Sequence, residues 1–320
     1  MTMATPEAFA PIAISQRSGF DESVHYGAAV VLSTDGDIEY SVGDPGVLIY
    51  PRSSNKPIQA VAMVRHGLSL PADLLALVCA SHDGAAKHIA GARRILAGAG
   101  LDETALRNTA DLPLDDGEAA AVLRAGGGRT TLQMNCSGKH SGMLATCVHN
   151  GWGTDDYLAV HHPLQTAITD MVDELTGESH AHIGVDGCGA PAHAFSLVGL
   201  ARALRTIAIG AAGSSGDAVR NAMAAHPDMV GGDTRDVTQL MRHVPGLIAK
   251  DGADGVFVAA LRDGRSIALK VADGSDRARP PLMLALLAHA GVDITAAAPH
   301  LTSTILGHGR PVGSVRALVP

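Results

Sequence analysis

Apolar and polar positions along the chain fall into three regimes. Over residues 26–42 they alternate and break at Asp35-Gly36, the pattern of two antiparallel strands joined by a tight turn. Residues 47–50 predict a further short strand leading into Arg52. From Lys56 to about Arg242 the apolar spacing lengthens to that of helices. These are predicted over 58–66, 87–97, 162–176, 192–209 and 217–226, each closed by glycine, proline or a polar turn. Residues 255–261 and 265–271 then flank Asp263-Gly264 as a second hairpin, followed by a helix over 281–289. Strand signals thus sit at both chain ends with helices between. This order predicts an α/β protein of the α+β type, one domain over 1–320. Its antiparallel sheet would come from N- and C-terminal segments, about 24–50 and 250–320, with a mainly helical insertion over about 56–245.

Composition refines this picture. The chain has 320 residues and is 46% hydrophobic, enough for a full core, but only 3% aromatic with 37 glycines. The core should therefore be built from small aliphatic side chains with close backbone approaches. A net charge of −8 without a long basic run argues against nucleic acid as a partner. Residues 1–20 have no cationic stretch followed by an apolar run, and no window reaches the length of a membrane span, so a cytoplasmic, membrane-free protein is expected. Four scattered cysteines are too few for a disulfide scaffold in a chain of this size, and each taken alone reads as a small buried hydrophobe.

The lysines carry the first chemical signal. Of the 24 cationic residues only Lys56, Lys87, Lys139, Lys250 and Lys270 are lysines, and a lysine, unlike an arginine, can lose its proton when desolvated. Ser53-x-x-Lys56 at the start of a predicted helix puts a hydroxyl and an amine on one face, as a nucleophile and its base require. The spacing also arises by chance, and the bland reading of Ser53 is a helix cap. Two further segments follow in chain order: Cys79-Ala-Ser81-His82-Asp83-Gly84 in a turn after a helix, and Lys250-Asp251-Gly252 before the C-terminal hairpin. In that order, on a sheet drawn from both chain ends, they resemble the serine β-lactamase/transpeptidase fold. The second segment lacks the usual Asn, and Asp251 stands where a Ser or Thr is usual.

A more specific resemblance lies in Met134-Asn-Cys136-Ser-Gly-Lys139-His140-Ser-Gly142 and Val185-Asp186-Gly-Cys188-Gly-Ala-Pro191. With Arg52-Ser-Ser-Asn-Lys-Pro57 and Cys79-Ala-Ser-His82, these segments resemble the rhizobial-type, or class 3, L-asparaginase family over nearly the whole chain. The resemblance implies hydrolysis of L-asparagine to L-aspartate and ammonia by a homodimer. It implies Ser53 as nucleophile with Lys56 as base, and a second pair of Ser81 with a lysine from the C-terminal half. Lys250 is taken for that lysine because Gly252 follows; Lys270 is the competitor. It further implies zinc held by Cys136, Lys139 and Cys188, with His140 and Asp186 beside it and Arg52 poised for the substrate carboxylate. The rival readings are a penicillin-interacting hydrolase or esterase of the same fold, a non-catalytic zinc or amino-acid-binding protein, and a glutaminase.

Overall fold

A computed structural model describes residues 5–319; residues 1–4, which open the 1–20 segment, and Pro320 lie outside the described residues. The first strands are β1 (Ala10–Arg17), β2 (Phe20–Leu32) and β3 (Ile38–Val42). A second sheet takes β4 (Leu48–Ile49), β5 (His182–Val185) and β6 (Pro191–Ser196), and the C-terminal part supplies β7 (Leu247–Gly252), β8 (Val256–Leu261), β9 (Ser266–Val271), β10 (Thr304–Gly307) and β11 (Arg310–Ala317). The main sheet runs β10-β11-β1-β2-β9-β8-β7, with β3 on the C-terminal end of β2, from Ala29 to Leu32. All its pairings are antiparallel. The pairing that joins the two chain ends is β2 with β9, in the register Gly27 opposite Val271.

The helices are α1 (Lys56–Arg65), α2 (Ala72–Val78), α3 (Ala86–Gly98), α4 (Asp116–Arg124), α5 (Ser137–Asn150), α6 (Pro163–Thr176), α7 (Leu197–Ala208), α8 (Gly213–Ala225), α9 (Pro227–Val230), α10 (Asp236–His243) and α11 (Arg279–His289). Helices α7 and α11 both pack on β8 and β9. Every residue of β7 and β8 is buried, so both faces of this end of the sheet are covered. The buried side chains are chiefly Ala, Val, Leu and Ile, as the composition requires. Among the described residues no single helix is long and apolar enough to cross a membrane; α7 and α8 reach the length only as a pair bent by 91°.

The expected sheet from both chain ends with helices between is present, including both hairpins around Asp35-Gly36 and Asp263-Gly264. Three expectations need correction. The sheet begins at Ala10, not near residue 24, because β1 pairs with both β2 and β11. The strand at 47–50 does not join it: Leu48 and Ile49 pair with Ser196 and Phe195 in the small sheet. The helix expected over 192–209 starts at Leu197, since Pro191–Ser196 is extended and the Ser196 hydroxyl accepts from Gly199 N–H to cap α7.

Candidate active site

Four segments build the site, two of them, the Ser53 turn and the Ser81 loop, in contact with the edge strand β7. Residues Arg52–Asn55 form a single 3-10 turn entering α1, and Pro57 sits in the first turn of α1, where no backbone donor is needed. The turn lies against β7: Ser54 Oγ donates to Lys250 O at 3.1 Å. A Cβ on Gly252 would fall 2.5 Å from Pro51 O, so only glycine allows this approach. The second segment is the loop that follows α2 and carries Ser81. The third is the start of α5, seated beside α2 by Gly138, whose Cβ would meet Leu77 O at 2.4 Å. The fourth is the β5–β6 turn, closed by Asp186 N–H donating to Ala190 O and Gly189 N–H to Asp186 O.

These segments bring two buried lysines onto one hydroxyl. Lys56, 1% exposed, donates from Nζ to Ser81 Oγ at 3.2 Å, to Cys136 Sγ at 3.1 Å and to Ala80 O. Lys250, wholly buried, donates to Ser81 Oγ at 3.0 Å, Asp251 O at 2.7 Å and Asp251 Oδ1 at 2.5 Å. Burial lowers the Lys250 pKa to about 8, with Asp251 opposing the shift and Lys56 adding to it. A neutral amine is therefore within reach near physiological pH. The competing Lys270 is elsewhere, hydrogen-bonded to Asp254 O.

Ser53 is half-buried and its hydroxyl has no hydrogen-bond partner among the described residues; in particular it does not bond Lys56. An amine has at most three N–H donors, and all three of Lys56 are spent elsewhere. The expected i,i+3 contact is thus not made, and Ser81 takes its place as the hydroxyl held by Lys56. Arg52, at a left-handed φ of 52°, donates from Nε to Asp186 Oδ1 at 2.8 Å and from Nη1 to Asp254.

The cysteine cluster adjoins the lysines. Cys136 and Cys188 pack together with Ala190, and Lys139 Nζ lies 3.2 Å from Cys188 Sγ. The thiol of Cys136 in contact with Cys188 lowers the Cys188 pKa far below its usual range, with Lys139 adding to the effect, and raises that of Cys136. Burial alone would lower the Lys139 pKa, but Cys188 and Cys136 raise it. His140 shares a hydrogen bond of 2.8 Å between Nδ1 and Tyr157 OH, while its buried Nε2 lies near Cys188 and makes no hydrogen bond of ordinary geometry among the described residues. Burial and then Lys139 keep this imidazole neutral. Among the described residues no three His, Cys, Asp or Glu side chains form a metal-binding group. Any metal here would need Lys139, deprotonated, as third donor beside the two thiols, with the buried His140 Nε2, which has no hydrogen-bond partner among the described residues, alongside. That donor set suits a soft or borderline dication.

Sequence reasoning missed Tyr157, Asp251 as a partner of Lys250, and Arg235, which contacts Asp251. Tyr157 lies in an irregular stretch without periodic signal, whereas Asp251 was visible as the odd residue after Lys250.

The chain is 15% identical to a β-lactamase from Mycobacterium bovis, covering 82% of this chain and 94% of that one with a TM-score of 0.40. It is 13% identical to a protein named Mglu, covering 78% and 59% with a TM-score of 0.42. It is also 13% identical to a Bacillus glutaminase, covering 78% and 84% with a TM-score of 0.33. No curated protein matches it significantly. The family model of L-asparaginase II matches residues 13–317, nearly the full length. On that match, the chain belongs to the L-asparaginase II family.

Proposed function

We propose that this amidohydrolase acts on L-asparagine, releasing ammonia and L-aspartate through a serine acyl-enzyme. The observation that carries the reading is the Ser81 hydroxyl held between the amines of Lys56 and Lys250 at 3.2 and 3.0 Å. In this reading Lys56 enters the step as the neutral amine, one proton having left to solvent, and takes the Ser53 hydroxyl proton as Oγ forms a bond to the side-chain amide carbon. The C–N bond then breaks, Ser81 giving its hydroxyl proton to the leaving nitrogen and being reprotonated from the lysines. Water cleaves the ester and returns the proton to Ser53. For this step Lys56 must turn from Ser81 towards Ser53 when substrate binds. Arg52 receives the substrate α-carboxylate and Asp186 its α-amino group.

A second reading of the same chemistry is favoured by the observed contacts. Ser81, already bonded to two lysines, would itself be the nucleophile. Ser53→Ala and Ser81→Ala separate the two: the variant that still traps an acyl adduct, seen as a mass increase on rapid quench, retains the nucleophile. Full ammonia release by both variants would end the Ser-Lys mechanism.

Zinc at Cys136, Lys139 and Cys188 belongs to this proposal. When bound it would polarise or anchor substrate groups near His140. Metal analysis of purified protein tests it, and unchanged metal content in Cys136→Ser would remove the site. The reading further takes the whole chain as one cytoplasmic asparaginase domain working as a homodimer, the oligomeric state being checked by sedimentation. Ammonia release from L-asparagine against L-glutamine, with and without zinc, decides substrate and metal together; nitrocefin turnover instead would favour the penicillin-interacting alternative.

A further inference from the structure

Asp251 directly follows Lys250 in β7 and is only 4% exposed. A carboxylate that deep stays ionised only if its charge is matched by partners. Oδ1 accepts from Lys250 Nζ at 2.5 Å and Oδ2 accepts from Arg235. The main-chain oxygen of Asp251 takes a second Lys250 donor at 2.7 Å. With two of its three donor directions fixed by one residue, the tetrahedral amine has one left, and that one points at Ser81 Oγ, 3.0 Å away.

Arg235 arrives on a segment that also holds Ser81. Val230 O accepts Ser81 N–H at 3.0 Å, and five residues later Arg235 reaches Asp251. Between them Gly232 has a φ of 119°, and a Cβ there would fall 1.9 Å from Asp83 Oδ2, in the loop that carries Ser81. Residues 230–235 therefore sit flush on that loop and span both members of the Ser81–Lys250 pair. Behind them Arg279, at the start of α11, donates to Gly252 O at 2.8 Å and pairs with Asp236 at 3.2 Å.

Resting on the amidohydrolase reading, we propose that Asp251 and Arg235 are positioning residues: the carboxylate aims the Lys250 amine at Ser81, and the guanidinium holds the carboxylate. The ionisable groups facing Lys250 are Asp251 from its own strand, Lys56 from the head of α1, Arg235 from ahead of α10, and Cys79 from the end of α2. Burial disfavours the charged amine most, Asp251 favours it, and Lys56 and Arg235 oppose it.

The two side chains thus act on the Lys250 proton with opposite sign, which a purely structural role would not do. On the reading in which the neutral Lys250 amine takes the Ser81 proton, the test is the pH dependence of kcat for ammonia release from L-asparagine. In Asp251→Asn the rising limb moves to lower pH by roughly 1–3 units, and kcat falls by about 10²-fold as the amine loses its aim. In Arg235→Gln the limb moves up instead. Arg235→Lys, which keeps the charge but not the fork, leaves the limb in place with kcat reduced, and serves as the measurable variant if the other two do not fold. A limb unmoved in Asp251→Asn and in Arg235→Gln, or wild-type kcat in Arg235→Lys, overturns the proposal. An inactive wild type overturns the amidohydrolase reading instead.

Discussion

Gly252→Ala adds one methyl group where β7 touches the Ser53 turn, and its cost can be worked from the distances. The new Cβ would lie 2.5 Å from Pro51 O, 2.8 Å from Ser54 Oγ and 3.2 Å from Ser54 N. Ordinary carbon–oxygen contacts begin at about 3.3 Å, so strand and turn must separate by about 0.8 Å. The nearest atom is backbone, so rotating a side chain does not relieve the clash. Overpacking of this kind costs roughly 1–3 kcal/mol. On the proposed Ser-Lys mechanism the same movement shifts the Ser53 turn relative to Lys250 on β7, and a displacement near 1 Å lowers turnover by about 10²-fold. Urea unfolding gives the first quantity and steady-state ammonia release from L-asparagine the second. Gly98→Ala, with nothing within 4 Å of its Cβ, is the matched control and should leave both within error or gain roughly 0.5 kcal/mol. A Gly252→Ala protein with wild-type kcat and an unfolding free energy within about 0.5 kcal/mol of wild type would refute the close approach of β7 to the turn.

Lys250→Met should abolish ammonia release while Lys270→Met keeps kcat within about threefold, because only the former amine reaches Ser81. Stability should carry the same signature. The Lys250 pKa is about 8 in the folded protein against ~10.4 unfolded, so between these values the unfolded chain holds more protons and stability rises with pH. Below pH ~8 the destabilisation is fully present, and urea midpoints of wild type relative to Lys250→Met, followed from pH 7 to ~10.5, should show the rise. Arg65→Ala breaks an exposed pair with Glu174 and should cost less than about 1 kcal/mol in the same assay. Phe257→Ala, fully buried beneath the Arg279 guanidinium, should cost roughly 3–5 kcal/mol.

The parts of the fold legible in the sequence are those with a local cause. Asp263-Gly264 between two apolar runs announces β8 and β9, and the apolar periodicity of α6 ends where Gly177 takes a left-handed φ of 73°. What escaped lacks such a cause. β1, with Pro11, lies ahead of the expected sheet, and β11, inside the expected C-terminal sheet segment but not picked out as a strand, carries Pro311 and Gly313; the two are held by pairing with each other. In the site, Lys250 was legible because lysine is rare here and Gly252 follows it. The Ser53–Lys56 contact was inferred from spacing along one helix face, but the donors of Lys56 are drawn instead to Ala80, Ser81 and Cys136, a competition set by distant segments that spacing cannot express.

The register that sets Gly27 opposite Val271 has a consequence for how the protein comes to be active. The strand bearing Lys250 joins the N-terminal strands through β8 and β9 and also lies directly against the Ser53 turn, and its contact with Ser81 spans 169 residues of chain, so the site forms only with long-range closure. Such long-range pairings form slowly because the chain must lose loop entropy before any contact rewards it. During refolding from urea, helical signal should return first and amidase activity last. The two-lysine site therefore doubles as a clock for the meeting of the chain's two ends.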